Sequence, residues 1–318
     1  MSSKPFSYEP LKTVLHNIKA DKRFEIFQKM PTIRNAEKLV PLKINKLSFG
    51  LLEFTVNQTI FGLHIVRKPS LYQEFISLAI NGRVIEYVEH RQTSFQRASD
   101  YFMTMFFGGR SDPISVNQFM FNGDHLLTFP PNAKLQVQHL IIRHGIREGI
   151  MTLSSVLTES SFPLQSLKIF VNYSTKREFR DKVVQEAKKV IIVQNSCSFL
   201  TNRANNWNFL PANTHFENTS RLKPNDFAAL IRHWKVSGAA PGRRCSVGLS
   251  NDQEDEWFGI RTMRTIQEEF DVVREDGVNT IPINQSSEVR VSVKNDGPQD
   301  EISRTPTSML VLEVVAKT

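Results

Sequence analysis

The sequence predicts a mixed fold, α+β / α/β: a short N-terminal helical segment, then antiparallel hairpins, then an irregular leucine-rich-repeat-like α/β solenoid with a β C-terminal cap. Three observations predict it. The first forty residues carry three short apolar stripes at helical spacing, punctuated by Pro31 and Pro41. An Asn81-Gly82 pair between two β-rich runs marks a hairpin. Beyond residue 111 an apolar spacing of the form Val-x-x-Phe-x-Phe returns again and again. The divisions that follow are a three-helix segment over 1–41, an antiparallel sheet plus helix over 42–110, and a repeat-like α/β domain over 111–318.

Ser7 is placed to cap a first helix in which Leu11, Val14, Leu15 and Ile18 fall at i, i+3, i+4 and i+7. Asp21 opens a second through Phe24, Ile26, Phe27 and Met30, and Pro31 ends it. Thr32 caps a third, with Ile33, Ala36, Leu39 and Val40 on one face until Pro41. Helices this short do not hold alone, so they must stack on one another or on a partner. From Pro41 the period changes to two. Leu42, Ile44, Leu47 and Phe49 predict a strand; Leu52, Phe54 and Val56 run toward a turn at Asn57-Gln58-Thr59, and Ile60 to Val66 returns. Phe75 to Ile80 and Val84 to Val88 flank Asn81-Gly82, whose residues adopt positive φ cheaply. A helix with Phe95, Ala98, Phe102, Met105 and Phe106 on one side then stops at Gly108-Gly109. Those glycines follow a helix, whereas a phosphate cradle places them before one.

The repeat is the most informative feature of the middle. It reads Val116-x-x-Phe119-x-Phe121, Val137-x-x-Leu140-x-Ile142, Leu164-x-x-Leu167-x-Ile169 and Ala187-x-x-Val190-x-Ile192. Successive copies are 21, 27 and 23 residues apart, within the roughly 20–29 of leucine-rich repeats. Helical stretches around Ile150, Leu153 and Val156, and around Phe179, Val183 and Val184, separate the last three. Strand and helix in alternation imply parallel strands with crossovers. The residues between the motif positions then lie on an open face, with Gln118, His139, Ser166 and Lys189 as a candidate target-binding row. The next row, Met120, Ile141, Lys168 and Ile191, is mostly apolar and is expected to be covered. Further on, a helix runs from Lys223 through Leu230, Ile231 and Trp234, a strand holds Cys245, Val247 and Leu249, and a last helix spans Trp257 to Phe270. Strands at Val289 to Val293 and Leu310 to Val314 close the chain.

Composition bounds the function. In 318 residues, 40% hydrophobic with 23 Phe, there is enough apolar surface for a packed core, which excludes a disordered chain. No uninterrupted run of about 18 apolar residues occurs, so no bilayer-spanning helix is expected. Pro5, Glu9 and Lys12 break up any leader, and two cysteines are too few for a stapled secreted domain; a cytoplasmic and/or nuclear location is expected. Forty basic side chains against 32 acidic give +8. The basic excess sits early, with ten basic against four acidic over 1–50, and reverses to seven against fourteen over 251–318. Without a dense basic run this reads as a solvated surface rather than a nucleic-acid site. No Gly-x-Ser-x-Gly, HExxH or GxGxxG pattern is present. Cys197 and Cys245 have no CxxC partner, and Asp252, Glu254, Asp255 and Glu256 sit at a helix start, where they favour the macrodipole. The expectation is a non-catalytic protein with no cofactor, no metal and no membrane partner, an enzyme with dispersed residues being the remaining alternative.

The run Phe6-Ser7-Tyr8-Glu9-Pro10-Leu11-Lys12-Thr13-Val14-Leu15, followed by Asp21-Lys22-Arg23-Phe24-Glu25-Ile26-Phe27, resembles an F-box. In that family a Leu-Pro-x-Glu opening leads into a helix with Val-Leu and an Asp-started second helix. Phe6-Ser7 stands here where Leu-Pro is usual, and Arg34 where a Trp is usual. Leu222 to Phe227, with Leu230-Ile231 and His233-Trp234, resembles the nematode F-box-associated domains. So do Phe107 to Ser111 and Ser161 to Leu167, and the opening through Asn57 is similar to a nematode domain family of unknown function. The resemblance implies a substrate receptor of an SCF-type ubiquitin ligase. Phe6, Leu11, Val14, Leu15, Ile18, Phe24 and Phe27 would dock the Skp-type adaptor, and through it the cullin scaffold, while the C-terminal domain holds an unknown protein target near the ligase by proximity. The alternative is an interaction module that keeps the architecture, uses the stripe internally and no longer binds the adaptor.

Overall fold

A computed structural model describes residues 8–68, 73–89, 94–123, 128–171, 179–194, 210–217, 222–249, 253–294 and 308–317. The chain divides into two compact units, one ending at Leu164 and one beginning at Gln165. The expected boundaries at 41 and 110 both fall inside the first unit.

The first unit opens with α1 (Tyr8–Asn17) and α2 (Ala20–Lys29), then a 3-10 turn at Pro31–Ile33 that runs into α3 (Arg34–Lys38). Pro31 starts this turn, a place where its missing N–H costs nothing. An antiparallel meander follows: β1 (Lys43–Phe49), β2 (Glu53–Val56), β3 (Thr59–Lys68), β4 (Gln73–Ile80) and β5 (Arg83–Glu89). The β2–β3 turn is two residues, Asn57-Gln58, with Val56 opposite Thr59. Asn57 has φ of 56°; its Oδ1 accepts from the backbone N–H of Asn45 and Lys46, and its Nδ2 donates to Asp21. Asn81 and Gly82 both have positive φ, as the hairpin spacing predicts. α4 (Phe95–Phe107), capped by Ser94 Oγ on the Arg97 N–H, leads to β6 (Ile114–Phe121), which pairs parallel with β1. β7 (Leu135–Ile142) pairs parallel with β6, and α5 (Ile146–Ser154) follows. The strand order is β7-β6-β1-β2-β3-β4-β5. At the end of α4, a Cβ on Gly108 would lie 2.8 Å from the Thr104 carbonyl oxygen, so this stop admits only glycine without a shift.

The repeat pairs in register. Ile44, Val116 and Val137 form one row, Leu47, Phe119 and Leu140 a second, and Phe49, Phe121 and Ile142 a third, all buried. β1 thus carries a copy, Ile44-x-x-Leu47-x-Phe49, that the sequence reading passed over. The two residues between the first rows both turn outward on each strand: Asn45 and Lys46, Asn117 and Gln118, Gln138 and His139.

The second unit contains β8 (Ser166–Val171), α6 (Lys182–Glu186), β9 (Val190–Gln194), β10 (Asn213–Phe216), α7 (Pro224–Ser237), β11 (Arg244–Leu249) and α8 (Gln253–Glu269), then β12 (Val273–Glu275), β13 (Val278–Pro282), β14 (Ser287–Lys294) and β15 (Ser308–Ala316). β8 to β11 are parallel neighbours, with Leu167, Val190, Thr214 and Cys245 in one row and Ile169, Ile192, Phe216 and Val247 in another. β11 then meets β15, β14, β13 and β12 in antiparallel succession. β10 escaped the sequence reading because His215, a polar residue, interrupts its four-residue run. A solenoid needs one strand direction and a crossover after every strand. The Asn57-Gln58 and Asn81-Gly82 hairpins, expected from the sequence, reverse the chain in the first unit, and Asp276-Gly277 does so between β12 and β13 in the second; each unit holds a mixed sheet of parallel strands extended by antiparallel ones, and a solenoid is not shown.

Phenylalanines fill the first core. Phe54 stacks on Phe61 at 5.2 Å and meets Phe106 and Phe107 edge-on, while Phe24 lies 4.9 Å from Phe106 and 5.8 Å from Phe61. Beside them Glu37, 1% exposed, ion-pairs with Arg23 at 2.8 Å and with Arg110 at 2.8 Å. Arg23 also donates to the carbonyls of Glu37, Val40 and Pro41. Glu37→Gln leaves two buried guanidinium groups without a counter-charge and is expected to cost about 3–5 kcal/mol. Urea denaturation of the full chain measures it against Glu25→Gln, which breaks the exposed pair with Lys22 for at most about 1 kcal/mol. Equal losses would remove the triad from its structural role.

Candidate interaction surfaces

The expected adaptor ridge is split by the fold. Leu15 is buried against Ala36 and Val40, with Leu11 and Ile33 packed half-buried on the same cluster. Phe24 and Phe27 are at most 1% exposed and belong to the phenylalanine core. Val14 is 56% exposed and Ile18 half-buried. Phe6 and the Ser7 cap lie outside the described residues. The i, i+4 line through Leu11 and Leu15 therefore faces α3, and Val14, one position off that line, is left at the surface. Met30 and Leu39, the residues just past α2 and α3, are also about half exposed.

The four expected target-binding residues fall into two pairs, one in each unit. Gln118 and His139 are Cα partners on β6 and β7, both half-buried, and Lys46 on β1 continues their row. Around this row Lys43, Asn45, Asn117, Gln136 and Gln138 are exposed. Asn117 Nδ2 donates to Asn45 Oδ1 at 3.0 Å, so the amides of neighbouring strands hold one another in place. This face arises directly from the repeat: the motif positions point into the phenylalanine core and leave polar residues outside. Lys43, Asn45 and Lys46 were missed in the sequence, although the Ile44-x-x-Leu47-x-Phe49 spacing could have found them.

In the second unit Ser166 is buried and Lys189 half-buried, adjacent through the bond from the Leu167 N–H to the Lys189 carbonyl. The expected covered row behaves accordingly, with Ile141, Lys168 and Ile191 buried and Met120 half-buried. Lys168, Ile191, His215 and Ser246 form one row across β8, β9, β10 and β11. Lys168 pairs with Glu217 at 2.6 Å, and His215 Nδ1 lies 3.0 Å from Ser246 Oγ. Burial, reinforced by the positive charges of Lys189, Arg244 and Lys168, pushes His215 down to about 4. Its imidazole is therefore neutral near pH 7 and fills a polar position without adding charge. Cys245, on the opposite face of β11, is fully buried with its thiol pushed up to about 12, which makes it a packing residue rather than a nucleophile. Among the described residues no group of three His, Cys, Asp or Glu side chains is arranged to hold a metal, and no helix is long and apolar enough to cross a membrane.

Residues 94–251 match the family model described as a Domain of unknown function (DUF3557). The match begins at the Ser94 cap of α4 and ends just past β11, so the N-terminal helices and the β2–β5 meander lie outside it. No curated protein and no solved structure matches the chain.

The lowered pKa of His215 links stability to pH. Unfolding returns the imidazole toward about 6.5, so between roughly pH 4 and 6.5 the unfolded chain binds the extra proton. The stability His215 contributes is complete above that window and is lost as pH falls through it, by on the order of 3 kcal/mol in total. Urea midpoints at pH 4.5, 5.5, 6.5 and 7.5 should rise with pH, and His215→Asn should flatten the rise.

Proposed function

We propose that this chain is a non-catalytic interaction protein, which presents the polar face of β1, β6 and β7 to a protein target and attaches to a ubiquitin ligase through α1. The observation that supports target binding is the registered row Lys46–Gln118–His139 with its exposed amide neighbours. Adjacent strands fix these side chains at a spacing of about 4.8 Å, and the apolar rows beneath hold the backbone still. A partner meeting such a face loses little to ordering it. Lysines, amides and a histidine together suit a surface rich in carboxylates and carbonyls.

The ligase half of the proposal rests on the F-box resemblance of the opening and on Val14, the exposed member of the α1 stripe, flanked by half-buried Leu11 and Ile18. Leu15, Phe24 and Phe27 act in this reading as the support that orients α1 and not as contacts. A second reading, an interaction module without an adaptor, is favoured by that same burial: three of the seven expected docking residues serve the chain's own core.

Retention of a purified Skp-type adaptor by the full chain separates the two. Wild type should retain it and Val14→Glu should not, with both showing the same thermal midpoint because the position is mostly solvated. Failure of wild type to retain adaptor leaves the second reading standing. Retention by Val14→Glu removes α1 as the contact. For the target face, Lys46→Glu should weaken any captured partner about tenfold or more.

A further inference from the structure

We propose that the cleft between α2 and the β4–β5 turn takes an acidic side chain of an extended partner peptide, which then continues along the outer edge of β5, unpaired among the described residues. The cleft has a volume of about 650 Å³ and receives Lys22, Glu25, Gln28 and Lys29 from α2, with Arg83, Val84 and Ile85 opposite. α2 turns Phe24 and Phe27 into the core, so this other side of the helix is what remains to line a cleft. Lys22 is already neutralised by Glu25 at 2.7 Å. Lys29 and Arg83 are exposed and make no ion pair among the described residues, which leaves a concave site with two uncompensated positive charges. Such a site concentrates field lines and attracts carboxylates.

The second observation is the Gln28 carboxamide. Both its Oε1 and its Nε2 are buried without a hydrogen-bond partner among the described residues. An amide left with neither bond made is costly, and a small rotation out of the wall would let it give one donor and one acceptor to a peptide group. The third is the edge. Among the described residues β5 is the last strand of the first unit's sheet, and at its start Val84 and Ile85 are 38% and 48% exposed. An unpaired strand edge with apolar residues beside it recruits an extended peptide by main-chain hydrogen bonding. A free anion would leave both the apolar wall and the edge unused, so the chemistry points to a peptide with Asp or Glu next to an aliphatic residue. This surface is separate from the β1-β6-β7 face and from Val14, and the inference stands without either.

The test is selection of a random ten-residue phage-displayed library on the full chain, with counter-selection on Lys29→Glu/Arg83→Glu. Both substitutions are at exposed positions, and an unchanged thermal midpoint confirms that the double variant folds. Enriched peptides should carry an acid beside an aliphatic residue. A synthetic copy should bind wild type at least about tenfold more tightly than the double variant in fluorescence anisotropy, and replacing its acid by the amide should cost as much. N-methylation of alternate peptide nitrogens should lower affinity by a similar factor, since it removes the donors an added strand needs. Enrichment of sequences without an acid, equal binding to the two proteins, indifference to N-methylation, or no enrichment at all would overturn the proposal.

Discussion

The Glu37 carboxylate, held between Arg23 and Arg110, is the interaction on which the first unit depends. It joins α2, α3 and the segment after α4, residues separated in sequence by as many as 87 positions between Arg23 and Arg110. Two cations over one anion leave a net positive charge in the interior, and burial pulls the pKa of both guanidinium groups down. Several features offset that cost. The Phe24 ring lies 5.9 Å from the Arg110 guanidinium carbon, and Arg23 spends its remaining Nη donors on the carbonyls of Glu37, Val40 and Pro41 at and just past the end of α3. Nε of both residues and Nη1 of Arg110 stay buried without a hydrogen-bond partner among the described residues. A cluster tolerating those orphans is held in place by its surroundings, and the surrounding phenylalanines are what hold it.

This arrangement determines which surfaces are available. Because Phe24 and Phe27 are drawn into the core beside Phe106, α2 cannot offer them to another protein, and its opposite side, with Lys22 and Lys29, is what faces outward. The same core receives Leu47 and Phe49 from β1 and Phe119 and Phe121 from β6, which pins the polar residues between them to the outer face. Core and candidate surface are therefore two sides of one pattern, and changes to the first are felt in the second.

The two units solve a shared problem in different ways. Parallel strands bury well only when both faces are covered. In the second unit the row Lys168, Ile191, His215 and Ser246 is buried, and it tolerates this because Lys168 has Glu217 and His215 stays neutral beside Ser246. In the first unit the residues in that slot, Met120 and Ile141, are half-buried and buried, and it is the slots before the second motif residue, with Asn45, Lys46 and Asn117, that remain in solvent. Polar strand residues thus have opposite fates, one set paired and enclosed, the other hydrated and exposed.

Much of the element inventory was legible from local pattern: the Asn81-Gly82 hairpin, the helix from Phe95 to its glycine stop, the strands at Val116 to Phe121 and Val137 to Ile142, and the final β strands. These depend on periodicity and turn chemistry within a few residues, which a sequence displays directly. β10 and the β1 copy of the repeat were not seen, since Thr214 and Phe216 flank a histidine and Ile44 to Phe49 also reads as an ordinary hairpin strand. The sequence by itself determined that α1 and α2 carry apolar stripes and that polar residues recur between the repeat positions. The burial of Leu15, Phe24 and Phe27 against the exposure of Val14, and of Lys168 against the exposure of Lys46, came from tertiary packing. Amphipathicity sets which side of an element is greasy, but what that side meets comes from Phe54, Phe61, Phe106 and Arg110, residues brought there by chain reversals far along the sequence.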